Sequence, residues 1–466
     1  MVDPGALNFF DGPLKVCYST KPMNDTIQKY ITGTTAVKIV EGIETAIRSG
    51  DLRPGAPLPT IRELAGRLAA SPTTVAAAYK TLRLRGMVVA EGRRGTRVGW
   101  PGVVHPRLLV PVSAGALDLA SGNPDPAHLP SMAPALRAID ASPVLYGQAL
   151  NLPALVEIVT RDFAADGVPD GPVCVVGGAI AGIAHVLRAA LRPGDRVAVE
   201  DPGYSGIYDA IVSLGLSLLP VRVDREGPRV DSLRAALGAG ARALVLTPRG
   251  QNPTGAALTA RRVQQLRRVV RPAPPEFIVV EDDHAGLIAG APPLFVNDGH
   301  RPRWAIVRSF AKALNPDLRL AVLTGDAGTM AAVEDRMVVG ERWVSHILQR
   351  IAAYMLADPA VRAELVAAAD SYRRRRDGLV AALRGAGIFD ASAPSGLNVW
   401  LRVAEETPVV QALLLKGWAV AAGERFRLAS GPAIRITSAR LPEHDAPRLA
   451  ADIAAVLRHG GRGSAV

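Results

Sequence analysis

The sequence predicts an α/β protein in two parts, a small winged helix-turn-helix followed by a large body built on a mostly parallel sheet with large and small lobes. Three observations lead there. Between Arg53 and Val98, nine Lys or Arg less Glu63 and Glu91 leave +7, most of the net +11 of the 466-residue chain. In and just ahead of that span, three helically spaced stretches precede two short strand-like runs around a basic turn. Beyond it, apolar runs at 173–176, 195–199, 243–247, 277–280, 305–308 and 319–324 alternate with helical segments. That alternation marks parallel strands joined by crossover helices, with a ligand at the strands' carboxyl ends.

In chain order, residues 1–33 read as a loose extension, and the first domain spans 34–98. Helical spacing covers Val37 to Ile47, then Thr60 to Leu68, then Pro72 to Arg85, where Ser71 is the N-cap and Pro72 the first helical residue. Met87–Ala90 and Thr96–Val98 flank the turn Glu91-Gly92-Arg93-Arg94-Gly95 as a wing. Positive charge concentrated on such a scaffold is an electrostatic footprint for a phosphate backbone. Residues 99–116, with Pro101, Pro106 and Pro111, form a semi-rigid linker, and the body spans 117–466. Two long helices are expected over roughly 328–385, then strands at 397–401 and 434–436 and a last helix near 444–457, forming the smaller lobe.

The chemistry-bearing residues of the body fall at strand ends. Lys312 follows one apolar run, and an acidic turn, Glu281-Asp282-Asp283, follows another thirty residues earlier. An amine that condenses with an aldehyde and a carboxylate that keeps a ring nitrogen protonated are what pyridoxal 5'-phosphate (PLP) requires. Gly177-Gly178-Ala179 breaks a strand ahead of a helix, placing bare amides where a phosphate binds. Tyr204 sits on a strand-to-loop turn where its ring can stack on a pyridine. The amide of Asn252, in the loop Pro248 to Gly255, can donate to the ring oxygen, and Ser309 with Arg319 can complete the phosphate cup.

In this order the residues resemble the fold type I aminotransferase family from about Leu117 to Leu457, through Ser309-Phe310-Ala311-Lys312, Arg319 and Asn252-Pro253-Thr254-Gly255. The resemblance implies that Arg435 holds a substrate or effector α-carboxylate, and that Tyr146 crosses a dimer interface to the partner's phosphate. Two positions depart from the family. His284 stands where the family has a tyrosine donating to the ring oxygen, and is expected to donate with a charge that varies near neutral pH. The phosphate turn also lacks the family's polar side chains.

The first domain resembles the GntR family of bacterial DNA-binding domains, through Leu58-Pro59-Thr60-Ile61-Arg62-Glu63-Leu64-Ala65, Ser71-Pro72-Thr73-Thr74-Val75 and Gly92-Arg93-Arg94-Gly95-Thr96. By that resemblance Arg62, Thr73, Thr74 and Lys80 touch DNA, and Arg93 and Arg94 enter the minor groove. Pro72 replaces an arginine common in the family. A GntR-type reader fused to an aminotransferase-like body is the architecture of the MocR subfamily of regulators.

Composition sets the remaining expectations. Hydrophobic residues at 48% provide ample core for one small and one large domain. The two cysteines, Cys17 and Cys174, lack metal spacing, so no metal is expected and a reducing cytoplasm is the default. No apolar run of about eighteen residues indicates a membrane span. Arg373 to Arg376 is expected to be a solvated helix face. The reading is a cytoplasmic, homodimeric regulator that binds an operator in double-stranded DNA and senses an amino compound or PLP itself. The alternative is an active class I/II aminotransferase with an accessory DNA-binding module, and the sequence leaves enzymatic turnover open.

Overall fold

The computed structural model describes residues 29–49, 51–52, 55–84, 87–90, 95–98, 115–391 and 393–460. Arg93, Arg94, Cys17, nearly all of the 1–33 extension and the linker through residue 114 lie outside these. The chain divides into two compact units, residues 1–101 and 102–466.

Among the described residues the first unit includes the helices α1 (Ala36–Arg48), α2 (Ile61–Leu68) and α3 (Pro72–Leu84), and an antiparallel pair, β1 (Val88–Ala90) with β2 (Thr96–Val98). Local chemistry starts each helix. Thr60 and Glu63 form a reciprocal capping box, the Thr60 amide donating to Glu63 Oε2 at 2.8 Å and the Glu63 amide to Thr60 Oγ1 at 3.2 Å. Ser71 Oγ accepts from the Thr74 amide at 3.0 Å, so the cap falls where the sequence puts it. Ile39, Ile43, Leu64, Val75, Tyr79, Leu82, Val88 and Val98 close one apolar core. The backbone at 55–58 adds to the wing sheet, the Leu58 amide donating to Thr96 O at 2.7 Å.

The second unit has a short strand, β3 (Leu117–Leu119), that joins its small lobe, and an eight-stranded sheet. Its strands in chain order are β4 (Val173–Val176), β5 (Arg196–Asp201), β6 (Ser217–Asp224), β7 (Gly227–Pro228), β8 (Ala241–Leu246), β9 (Ile278–Asp283), β10 (Trp304–Ser309) and β11 (Ala321–Gly325), and across the sheet they run β4-β11-β10-β9-β8-β5-β6-β7. The five strands β10, β9, β8, β5 and β6 are mutually parallel, while β11 pairs antiparallel with both β10 and β4. Apolar clusters on both faces explain why these strands read as continuous hydrophobic runs. A four-stranded sheet of Asn398–Arg402, Ala433–Thr437, Trp418–Ala422 and Leu117–Leu119, in that order, forms the small lobe over its own core.

Three expectations are corrected. Glu281-Asp282-Asp283 is the end of β9 and not a turn, because each flanking carboxylate is satisfied inside the protein: Glu281 accepts from the Val296 and Asn297 amides at 2.7 and 2.9 Å, and Asp283 is held by arginines. The stretch 328–385 forms three helices, Ala327–Val339, His346–Ala357 and Pro359–Gly385, since Pro359 lacks the amide to continue a helix and Asp358 caps a new one. Arg373 to Arg376 is only half solvated: Arg375 pairs with Asp125 at 2.7 Å, and Arg376 is buried against the Gly396 carbonyl at 3.2 Å. A 27-residue helix presents successive residues to different faces, so a run of four spans core and solvent.

Candidate functional site

A cavity of about 280 Å³ lies at the carboxyl ends of the parallel strands. Its walls include Gly178, Ala179, Tyr204, Asn252, Asp282, His284, Ser309, Lys312, Arg319 and Arg435, ten positions singled out in the sequence. Tyr146 is not among them. It stands 79% exposed, edge-on to Trp343 with Arg342 over its ring.

Lys312 follows β10 and donates from Nζ to Gly122 O at 2.6 Å. Withdrawal from water, with the nearby Arg435 charge, lowers its ammonium pKa to about 8. Asp282 on β9 is buried, and its Oδ1 has no hydrogen-bond partner among the described residues. Burial, and then the charge of Asp283, push its carboxyl up to about 7.

Opposite these, Gly178 caps the helix Ala179–Ala190 with φ +107°, a conformation glycine adopts without strain. A Cβ there would stand 3.1 Å from Arg319 Nη2, so the guanidinium lies against the bare backbone. Arg319 is itself left-handed, at φ +46°. An arginine in that region is an outlier of the kind that clusters at ligand clamps. The start of this helix, the Arg319 guanidinium and Ser309 all line the cavity, donors of the kind an anion can use.

Arg435 is buried on the small-lobe strand Ala433–Thr437. Its Nη1 donates to Asn252 Oδ1 at 3.0 Å, Nη2 donates to Ala120 O, and the guanidinium lies over Phe426. Burial and the neighbouring Arg425 pull its pKa down to about 9. Residues 120–122 thus bridge two of the site's cations, with Ala120 O on Arg435 and Gly122 O on Lys312.

His284 departs from expectation. Its Nε2 lies 3.0 Å from the Gly250 carbonyl, and burial, then the Lys312 charge, lower its pKa to about 4, so the ring stays neutral near pH 7. The sequence also missed a buried network beneath the site. Asp283 accepts from Arg249 Nε and Nη2 at 2.8 and 2.9 Å and from Arg308 Nε at 2.8 Å, while Arg308 Nη2 reaches Asp166 at 2.6 Å. Its one signal was Arg249, a charge in an otherwise neutral turn.

In the first unit, Arg62, Thr73 and Lys80 are exposed and Thr74 is half-buried, at and following the starts of α2 and α3. The Thr73 and Thr74 hydroxyls lie 2.7 and 2.8 Å from Ser71 Oγ, which fixes their direction.

Residues 114–453 match the family model described as aminotransferase class I and II, and residues 35–98 match that of bacterial regulatory proteins, gntR family. The vitamin B6 salvage pathway transcriptional repressor PtsJ of Salmonella typhimurium is 38% identical over 91% of this chain and 98% of its own length. The HTH-type transcriptional regulator TauR of Rhodobacter capsulatus is 28% identical over 79% of this chain and 84% of its own. The body's fold matches the crystal structure of Pyrococcus horikoshii kynurenine aminotransferase with a TM-score of 0.69 at 21% identity, covering 75% of this chain and 92% of that one. A winged helix-turn-helix ahead of an aminotransferase body defines a class of transcriptional regulator. The chain belongs to its MocR subfamily, GntR-type readers fused to a fold type I aminotransferase domain.

Proposed function

We propose that this protein is a repressor that binds an operator through residues 34–98 and reports the supply of PLP held in its body, residues 117–466. The observation that carries the cofactor reading is the buried, unpartnered Asp282 Oδ1 in the wall it shares with Lys312. A carboxylate in that setting is costly unless a donor faces it, and a protonated pyridine nitrogen is such a donor. The other residues fit the same group: Gly178, Ala179, Ser309 and Arg319 for its phosphate, Tyr204 against its face, Asn252 and His284 at its ring oxygen, and Lys312 for its aldehyde. Bound there, PLP supplies an electron-accepting ring; the protein anchors its phosphate, pairs its nitrogen and holds an amine in reach.

Regulation by the cofactor itself is favoured by the 38% identity to a protein named for vitamin B6 salvage. Residues 120–122 supply a means, since a ligand that takes the Lys312 amine displaces Gly122 O from it. That displacement is the differential contact a two-state regulator needs. A second reading, an amino compound as co-effector, is supported by Arg435, a buried fork facing the same cavity. Turnover as an aminotransferase remains the alternative activity.

The proposed assembly is a homodimer. Leu145, Tyr146, Val339 and Ile347 are exposed apolar residues of one body, a composition suited to a covered surface. Paired readers then meet two half-sites. Among the described residues no helix is long and apolar enough to cross a membrane. The location that goes with an operator as partner is the cytoplasm. The test is operator binding titrated with PLP, for wild type and Lys312→Ala. A PLP-dependent change in affinity or footprint that Lys312→Ala abolishes is expected; steady transfer of amino groups to a keto acid, with DNA binding indifferent to PLP, overturns the reading in favour of an enzyme.

A further inference from the structure

We infer that His284 and Asn252 form a donor and acceptor pair that holds the cofactor's ring oxygen as a neutral hydroxyl and not as an oxyanion. The inference rests on the cofactor reading above and concerns which form of that ligand the site selects.

The hydrogen-bond inventory decides it. His284 Nε2 lies 3.0 Å from Gly250 O, and a carbonyl oxygen only accepts, so Nε2 carries the proton. A neutral imidazole has one N–H, which leaves Nδ1 a lone pair. The carboxylate nearest in sequence, Asp283, is already committed to Arg249 and Arg308, and burial of the ring disfavours a second proton on it. Among the described residues Nδ1 makes no hydrogen bond, and the ring forms part of the cavity wall.

Asn252 is fixed in the opposite sense. Its Oδ1 accepts from Arg435 Nη1 at 3.0 Å and faces Asn398 Nδ2 at 3.5 Å, which settles its oxygen against its nitrogen. Nδ2 is left as a donor without a protein acceptor among the described residues. The cavity therefore offers one N–H and one lone pair from residues that share the loop 250–252, since His284 is anchored to Gly250.

A hydroxyl satisfies both, accepting from Asn252 Nδ2 and donating to His284 Nδ1. An oxyanion satisfies only the first and meets a lone pair at the second, an unpaired and repulsive contact in an enclosed site. A phenolic hydroxyl at position 284 would donate and reverse the preference. His284 is thus a specificity-determining residue, selecting the protonation state of the ligand.

The two forms differ in colour: the hydroxyl form absorbs in the near ultraviolet, the oxyanion form in the visible. The full-length chain is loaded with PLP, freed of excess and scanned at neutral pH, beside His284→Tyr loaded to equal stoichiometry. The near-ultraviolet band should dominate in wild type, and His284→Tyr should move the band ratio about tenfold toward the visible, the size of one buried hydrogen bond made or lost. A dominant visible band in wild type, or a ratio that ignores the substitution, overturns the inference. Should His284→Tyr fail to fold, the wild-type spectrum decides alone. Failure of the cofactor reading shows separately, as no borohydride-fixed adduct on the Lys312 peptide by mass spectrometry.

Discussion

Asp282 and Asp283 are neighbours at the end of β9, both buried, and their surroundings drive the two carboxyls in opposite directions. For Asp282, burial and the adjacent charge raise the pKa to about 7. For Asp283, burial also acts upward, but the Arg308 and Arg249 guanidinium groups overcome it and hold the pKa near 2. Alternation along a strand explains the division: one side chain faces the cavity, and the next anchors the network beneath it.

That division makes stability depend on pH in two windows. Asp282 holds a proton in the folded chain that the unfolded chain releases above its pKa of about 3.9, so the cofactor-free protein loses stability as pH rises from about 4 to about 7. Asp282→Asn should remove this loss, raising stability at pH 8 by on the order of 4 kcal/mol and little at pH 4. Asp283 contributes fully above about pH 4 and is lost as pH falls toward 2. Urea unfolding of both proteins across pH measures it; parallel curves would refute the assignment of Asp282.

Asp283→Asn should be far more damaging. It leaves two buried guanidinium groups with Asp166 as their remaining carboxylate among the described residues, and breaking a buried pair costs about 3–5 kcal/mol. Thermal unfolding gives the value, and a loss below about 1 kcal/mol would mean that the network relaxes into water.

Lys312 should be the residue that fixes the cofactor, and its lowered pKa sets the pH profile. The neutral amine is the nucleophile, so the rate of adduct formation should climb as pH rises through about 8 and level off above it. Stopped-flow mixing with PLP reads the profile, with Lys312→Ala as the blank. An adduct that persists in Lys312→Ala on another lysine contradicts the assignment.

Gly122 should tolerate no side chain. It has φ +73°, and a Cβ would approach Arg435 Nη2 at 3.1 Å, so Gly122→Ala combines backbone strain of about 1–3 kcal/mol with pressure on the buried fork. The expected result is lower melting temperature and weaker binding of any carboxylate ligand, with operator affinity of the ligand-free protein kept. Unchanged calorimetry and ligand titration would show that residues 120–122 move aside freely.

On DNA, Arg62→Ala with Lys80→Ala should weaken binding across all sequences and reduce the slope of log affinity against log salt by about 2, one per phosphate contact. An unaltered slope places both residues off the backbone. Arg93→Ala with Arg94→Ala should also flatten the slope if the wing enters the minor groove.

Local chemistry made much of this protein legible in its sequence. The Thr60 and Glu63 capping box, Ser71 ahead of Pro72, the apolar runs of the sheet and the glycine break at Gly178 act over one to four residues, and periodicity records them. Strand-end chemistry picked out eight residues of the cavity wall, and the family resemblance added Arg435 and His284. The strands Ser217–Asp224 and Trp418–Ala422 were missed, since Pro220 interrupts the first and the second is alanine-rich, a composition that favours neither element. Tertiary structure alone decided what those residues do to one another. Gly122 reaches Lys312 across 190 positions and Arg308 reaches Asp166 across 142, pairings set by which strands become neighbours. His284 reads as a titrating donor by its residue type; the fold turns its one proton to the Gly250 carbonyl and leaves a lone pair as its remaining polar group, because burial and the nearby ammonium make a second proton too costly.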